Sequence, residues 1–304
     1  MAAHAKKIGM DFSGCGTALV TPFHADGSID EAALTALVEW QISSGVHFLI
    51  PCGTTGEAPA LHEQEWLRVI ELVIEAAAGR VPVLAGCTHN STQEAVRRVE
   101  LLNKISGLSG ILTANPYYNK PMQQGQYLHF RAIAETTHLP VMLYNIPGRT
   151  GANLLPETVL RLAEMGNIAA VKESSGNLQQ ITELIHMAPP HLRVFSGDDN
   201  IALAVIAVGG AGVVSVASNA IPAPMTQMTT AALSGDWTTA RALHRRCYAL
   251  MTGNFIETNP GPIKCVLTLM GRIEENYRLP MVPVQPATRD RLRALAEELG
   301  LLSQ

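Results

Sequence analysis

At 304 residues and 47% apolar side chains, the chain can bury a full core without help from disulfides or a metal. A net charge of only -4, no basic run and 5% aromatics exclude a phosphate-tracking groove or a base-stacking platform, so nucleic acid is not an expected partner. The five cysteines (Cys15, Cys52, Cys87, Cys247, Cys265) are odd in number and form no CxxC pair, which reads as reduced thiols rather than a disulfide frame or zinc site.

Lys6 and Lys7 are not followed by an apolar stretch long enough for a signal-peptide core, and no segment approaches a membrane span of roughly eighteen apolar residues. The expectation is a cytoplasmic protein with no membrane partner. From residue 15 onward, short apolar runs of strand character alternate with longer stretches of helical period. The runs fall at 15–20, 47–51, 81–85, 110–114, 140–145, 168–172, 192–196 and 212–216, each nearly all apolar, as strands buried on both faces should be. Helix starts lie between them: Ser28 and Asp30 before Glu31, Ser91 before 92–106, and Pro156 with Glu157 opening 156–165.

Eight repeats of strand and helix predict an α/β fold of the (β/α)8 TIM-barrel class. The competing open doubly wound sheet needs a glycine-rich phosphate turn after an early strand. Gly14-Cys15-Gly16 lies ahead of its strand without a third glycine at the required spacing, and Gly209-Gly210-Ala211-Gly212 also leads into a strand. After about Gly235 the pattern is purely helical, with helices expected at 236–251, 262–270 and 286–301. This divides the chain into a barrel over 1–234 and a C-terminal helical appendage over 235–304.

Barrel enzymes carry their chemistry on loops at the carboxyl ends of the strands. At those positions Lys172 closes the run Ile168 to Lys172 and is followed by the polar turn Glu173-Ser174-Ser175-Gly176. Burying an amine disfavours its ammonium form and frees the lone pair to attack a carbonyl carbon, the route to a Schiff base. A strand-end lysine can equally be a snorkelling or salt-bridged residue. The turn Gly53-Thr54-Thr55-Gly56-Glu57 suits a small carboxylate, held by backbone N–H groups and a threonine hydroxyl, and an ordinary turn with Glu57 opening a helix is the plainer alternative. Asn115-Pro116-Tyr117-Tyr118-Asn119 follows the fourth run, and Tyr144-Asn145-Ile146-Pro147-Gly148-Arg149-Thr150-Gly151 closes the fifth. Hydroxyls gathered on one rim with a lysine could shuttle the protons that imine formation requires, and Arg149 offers a two-pronged donor to a carboxylate.

The segments GTTGE at 53–57, PYYN at 116–119, YNIPGRTG at 144–151, VKESSGN at 171–177, SGDD at 196–199 and ETNPGPIK at 257–264 together resemble the dihydrodipicolinate synthase family. That family belongs to the pyruvate-dependent class I lyases, with N-acetylneuraminate lyase and the keto-deoxy-gluconate aldolases. The resemblance spans nearly the whole chain. It implies that Lys172 forms a Schiff base with pyruvate, whose enamine attacks L-aspartate 4-semialdehyde to give 4-hydroxy-tetrahydrodipicolinate for lysine and diaminopimelate biosynthesis. By the same resemblance Tyr144 is the central acid/base and Thr54 links it to Tyr118, which would reach in from a neighbouring subunit. Thr55 would bind the pyruvate carboxylate, Val214 would lie close by through its carbonyl, Gly197 would line the substrate site, and Arg149 would bind the semialdehyde carboxylate. No cofactor beyond the covalent pyruvate is implied, and the implied assembly is a homotetramer built as a dimer of dimers.

Relatives that bind lysine as a feedback inhibitor do so at a dimer interface. Asn90, Glu94 and Tyr117 match that cleft and with Trp66 are the candidate effector residues; Ala58, Pro59, Glu63 and Trp66 depart from the common bacterial pattern, and Trp66 and Tyr117 could simply pack an interface. The histidines form no HxH or HExxH pair, so no metal is expected; His89, His129 and His138 read as helix-surface or loop residues, and Asp198 and Asp199 as caps of the next helix. Met122, Met225 and Met228 read as core or interface filler. Two rival functions stay open: a sister aldolase that accepts a sugar-derived aldehyde through the same Schiff base, and a non-catalytic pyruvate-binding barrel.

Overall fold

The computed structural model describes residues 13–302; Lys6 and Lys7 lie outside the described residues. In chain order the elements are β1 (Gly14–Ala18), α1 (Glu31–Ser43), β2 (Phe48–Ile50), α2 (Glu63–Ala77), β3 (Leu84–Gly86), α3 (Thr92–Leu102), β4 (Gly110–Ala114) and α4 (Gln123–Thr136). There follow β5 (Val141–Asn145), α5 (Pro147–Thr150), α6 (Pro156–Ala163), β6 (Ile168–Glu173), α7 (Leu178–Met187), β7 (Arg193–Ser196), α8 (Ala202–Ala207) and β8 (Gly212–Ser215). The chain ends in α9 (Pro222–Leu233), α10 (Trp237–Gly253), α11 (Gly261–Leu269) and α12 (Pro286–Glu298).

Among the described residues the eight strands form one sheet in the order β2-β1-β8-β7-β6-β5-β4-β3. β1 with β2, and β3 through β8 in turn, pair in parallel. A parallel bridge from Leu49 of β2 to Val83, just ahead of β3, joins the two ends of that order. Eight parallel strands each followed by helix make the fold a (β/α)8 TIM barrel with C-terminal helices.

Two boundaries moved for identifiable reasons. The third strand was expected at 81–85 and begins at Leu84, because Pro82 has no N–H to give a ladder. β6 runs one residue past Lys172 to Glu173, which the sequence reading placed in the following turn. The caps act as read: the Asp30 carboxylate accepts from the Ala33 N–H at 2.8 Å, Ser91 Oγ from the Glu94 N–H, and Pro156 opens α6.

By packing, the chain divides into two compact units. One holds Leu84–Val213. The other joins Gly14–Val83 to Val214–Gln304, so the C-terminal helices belong with the first two strands. In the first, strands β4, β5 and β6 are buried at every position, and Phe130 and Ile133 of α4 with Ile181 and Leu184 of α7 complete the core. In the second, Leu34, Leu37 and Val38 of α1, Ile70 and Val73 of α2 and Met225 and Met228 of α9 do the same.

Candidate active site

The Leu84–Val213 unit carries the lysine. Lys172 is the penultimate residue of β6 and Tyr144 the penultimate residue of β5, and the parallel register sets them side by side. Side chains opposite one another in a parallel pair share a face. Both are buried, at 4% and 6% exposure, and Lys172 Nζ stands 4.2 Å from the centroid of the Tyr144 ring. The sequence put an amine and a phenol on the same rim; the register makes them neighbours.

The alternate residues of the same two strands, Asn145 and Glu173, point to the opposite face and are also paired in register. The Glu173 carboxylate is buried and accepts from Asn145 Nδ2 at 3.1 and 3.2 Å, from the Ser175 N–H at 2.7 Å and from Gln180 Nε2 at 3.4 Å. Asn145 also accepts from the Leu154 N–H and donates to Asn153. Burial pushes the Glu173 carboxyl up from its ordinary value, and these donors work against that shift. This network ties together the strand ends that present Tyr144 and Lys172, a role invisible in a residue read as part of a turn.

β7 ends at Ser196, and Gly197 sits where a side chain has no room. A methyl there would come within 2.9 Å of Lys172 Cε, 3.0 Å of its Cγ and 1.9 Å of Ser174 Oγ. Glycine therefore lets the lysine stem and the Ser174 hydroxyl pack directly against the backbone after β7. Asp198 follows. Its carboxyl makes no cap bond to the turn that begins at Asp199, which corrects its reading as a helix cap. Instead burial raises it from 3.8 to about 6, the positive field of Lys172 opposes the rise, and Asp199 and Glu173 add to it. A carboxyl poised near neutrality in the field of the site lysine is the functional candidate that sequence reasoning passed over.

Five other predicted residues belong to this unit. Tyr118 is 86% exposed, its ring clear of its own chain, and its backbone is held at φ +76 with its N–H on the Thr150 carbonyl. A left-handed tyrosine is unfavourable, and the surrounding loop, including that hydrogen bond, must hold it. Arg149 lies exposed on the single-turn α5. Asn90 is half-buried, Glu94 is engaged by Arg97 at 2.8 Å and by Arg98 at 3.1 Å, which hold its carboxyl down to about 2, and Tyr117 lies against His89 with ring centroids 6.5 Å apart. His129 is a correction: it is buried inside α4 rather than on its surface, with Nδ1 2.9 Å from Thr92 Oγ1, and burial pushes it down to about 4.

The second unit carries the threonine turn. β2 ends at Ile50, and the turn that follows is strained at both ends, with Cys52 at φ +58 and Glu57 at φ +53. Left-handed conformations cost a non-glycine residue roughly 1–2 kcal/mol, so something must hold them. Glu57 precedes only a three-residue 3-10 turn, Ala58–Ala60, and its side chain makes no cap bond to it. Its carboxylate is buried and accepts from Lys264 Nζ at 2.6 Å and from the Arg278 N–H at 3.3 Å. Thr55 is buried and its hydroxyl accepts from Asn259 Nδ2 at 2.9 Å, while Thr54 is half-buried. Val214 lies fully buried in β8, and Trp66 of α2, at 2% exposure, has almost no surface left to offer a second chain.

Lys264 is the other buried lysine and must be weighed against Lys172. It is wholly covered; besides Glu57 it donates to the Thr21 carbonyl at 3.1 Å and stands 4.5 Å over the Phe23 ring and 4.9 Å over the Tyr277 ring. Burial pulls it below its ordinary value and the Glu57 carboxylate pulls it back. An amine enclosed by a carboxylate, a carbonyl and two rings has no open face for a carbonyl substrate. Among the described residues no three His, Cys, Asp or Glu side chains cluster where a metal ion could be held, and no helix is long and apolar enough to cross a membrane.

The sequence profile of the Dihydrodipicolinate synthetase family matches residues 11–299. The chain is 63% identical over 294 residues to a 4-hydroxy-tetrahydrodipicolinate synthase of Acidobacterium capsulatum, covering 96% of this chain and 97% of that protein. Among solved structures it is similar to the chloride-inhibited dihydrodipicolinate synthase of Acinetobacter baumannii complexed with pyruvate, with a TM-score of 0.94, 38% identity, and coverage of 96% of this chain and 100% of that one. It is also similar to DHDPS from Cyanidioschyzon merolae with lysine bound, at a TM-score of 0.92 and 40% identity, covering 96% and 99% of the two chains.

Proposed function

We propose that this chain, which belongs to the dihydrodipicolinate synthetase family, is a 4-hydroxy-tetrahydrodipicolinate synthase that condenses pyruvate with L-aspartate 4-semialdehyde through a Schiff base on Lys172. The observation that carries the reading is the buried Lys172 amine against the Tyr144 ring at the carboxyl end of β6, its stem packed on the Gly197 backbone. In this reading Lys172 Nζ attacks the pyruvate C2, and Tyr144 returns the proton that lets the carbinolamine lose water. Loss of a C3 proton from the imine gives the enamine. Its C3 then forms the new carbon–carbon bond to the aldehyde carbon of the semialdehyde. The semialdehyde amine closes on C2 and expels Lys172, releasing the cyclic product and regenerating the enzyme.

The other roles follow the same proposal. Thr55 and the backbone of its turn hold the pyruvate carboxylate, the Val214 carbonyl lies close by, and Gly197 lines the substrate site. Arg149 takes the semialdehyde carboxylate with its planar fork. Thr54 joins Tyr144 to Tyr118. A Tyr118 ring that is 86% exposed on its own chain supports its service to a second copy; the proposed assembly is a dimer of dimers, and the proposed location the cytoplasm. The test is initial rate with pyruvate and L-aspartate 4-semialdehyde, coupled to an NADPH-dependent reductase of the product, beside borohydride trapping. Turnover abolished by Lys172→Ala, with a pyruvyl adduct on Lys172 in the wild type, supports the proposal. An adduct without turnover assigns the chain to a sister aldolase, and no adduct to a non-catalytic binder.

We also propose feedback by lysine at Asn90, Glu94 and Tyr117, supported by the lysine-bound relative. The near-complete burial of Trp66 leaves that residue out of the effector's reach. An initial-rate titration that shows no loss at millimolar lysine removes the proposal.

A further inference from the structure

Resting on the Schiff-base reading above, we propose that Asn259, just ahead of α11, and Lys264, within it, are positioning residues that hold the 53–57 turn in the form that receives the pyruvate carboxylate. Neither is assigned a part in the chemistry above, and both act through the turn rather than on the substrate.

Hydrogen bonds and ion pairs within the Gly14–Val83 and Val214–Gln304 unit carry the inference. Lys264 Nζ meets Glu57 Oε1 at 2.6 Å with both side chains essentially without exposure. The same ammonium donates to the carbonyl of Thr21, whose hydroxyl in turn donates to the Gly56 carbonyl at 2.7 Å. The Arg278 N–H reaches the second Glu57 oxygen, and Arg278 is itself fixed by a two-pronged pair with Glu65, both N···O distances being 2.6 Å. Gly56 cannot shift to relieve the turn, because its Cα already faces the Leu19 carbonyl and the Cys52 backbone so closely that a methyl would stand 3.1 Å from each. The left-handed Glu57 at the end of the turn is thus held by a buried charge pair rather than by its own preference.

Asn259 supplies the directional part. Its Nδ2 donates to Thr55 Oγ1, so the hydroxyl proton of Thr55 must point away from Asn259 toward another acceptor. A carboxylate oxygen of pyruvate is such an acceptor. A turn kept in place by Lys264, with a hydroxyl aimed by Asn259, presents a donor before the substrate arrives, which is preorganisation of binding rather than of bond making.

The experiment measures KM for pyruvate, KM for the semialdehyde and kcat in Asn259→Ala and in the charge-neutral pair Lys264→Met with Glu57→Gln. The pair is used because Lys264→Met alone strands a buried carboxylate and can fail to fold. Circular dichroism confirms folding. We expect the pyruvate KM to rise about tenfold, the effect of about 1.4 kcal/mol, with kcat and the semialdehyde KM changed less than about twofold. The pyruvate concentration for half-maximal borohydride trapping should rise in parallel. An unchanged pyruvate KM in folded Asn259→Ala overturns the proposal, as does an equal loss in both KM values and kcat, which marks a structural role only. Failure of the wild type to trap pyruvate would instead remove the Schiff-base reading on which the proposal rests.

Discussion

Gly197→Ala is the sharpest perturbation of the proposed mechanism, because it adds a single methyl and no polarity. The added carbon would lie 1.9 Å from Ser174 Oγ, 2.9 Å from Lys172 Cε and 3.0 Å from Lys172 Cγ. The serine rotamer can swing aside, but Lys172 is buried with Tyr144 on its flank and can yield only by moving its amine. Overpacking of this kind costs about 1–3 kcal/mol of stability, visible as a lowered Tm. Displacing a nucleophile by about 1 Å costs about 100-fold in rate. The assay is kcat in the coupled reaction together with the rate of borohydride trapping. Both should fall by a similar factor, since the amine is the group displaced. Combining Gly197→Ala with Ser174→Ala removes the 1.9 Å contact and leaves those to the lysine, so it should restore part of the Tm and little of kcat. A Gly197→Ala enzyme with kcat within about threefold of wild type would refute the claim that Gly197 fixes the position of the Lys172 amine.

Asp198 is raised from 3.8 to about 6, so the fold prefers its protonated form, and the stability it contributes falls as pH rises from about 4 through 6. Asp198→Asn should gain up to about 3 kcal/mol over wild type at pH 8 and nothing at pH 4 by urea denaturation; equal gains at both would contradict the assignment. His129 has the opposite sign: it is lowered from 6.5 to about 4, so its contribution is complete above 6.5 and lost as pH falls toward 4. His129→Gln should flatten that acid limb, and in the Asp198→Asn background the His129 slope should stand out, because the two wild-type slopes oppose each other over the same window. Glu173→Gln turns an acceptor toward three donors into a group that presents its own N–H to one of them, and should cost about 1–3 kcal/mol in denaturant midpoint while the adduct on Lys172 still forms; loss of the adduct in a stable variant would place Glu173 in the chemistry itself.

The strands were legible because both their faces are covered, which writes them as nearly unbroken apolar runs whatever the details of packing. Lys172 was legible for the same reason in reverse: a cation closing such a run must be explained. What could not be read was every role that depends on a distant partner. Glu57 looks like the first acid of a helix until Lys264, 207 positions later, is seen to bury it. His129 sits in the polar-looking sequence of α4, and its burial depends on α3, where Thr92 meets it from 37 positions away. Asp198 fits a capping pattern at the sequence level and is turned instead toward the field of Lys172 by the path of the chain after β7. Local spacing cannot encode these, since each is settled by which element packs alongside.

The two buried lysines show why burial alone is a poor guide to a nucleophile. Lys264 is the more deeply covered, and a reading based on exposure would choose it first. Its amine, however, spends its hydrogens on a carboxylate and a carbonyl and faces two aromatic rings, an arrangement that satisfies an ammonium ion and leaves the nitrogen no approach. Lys172 has an aromatic ring on one side and, on the other, a glycine where any larger residue would touch its stem. The difference is one of partners rather than depth. The sheet places Lys172 at the carboxyl end of its strand, where barrel loops open, and Lys264 lies inside a helix that closes over the threonine turn. In the proposed mechanism one buried lysine clamps a strained turn and the other reacts, so holding is separated from reacting. Peptide mapping after borohydride treatment should therefore find pyruvate on Lys172 and none on Lys264.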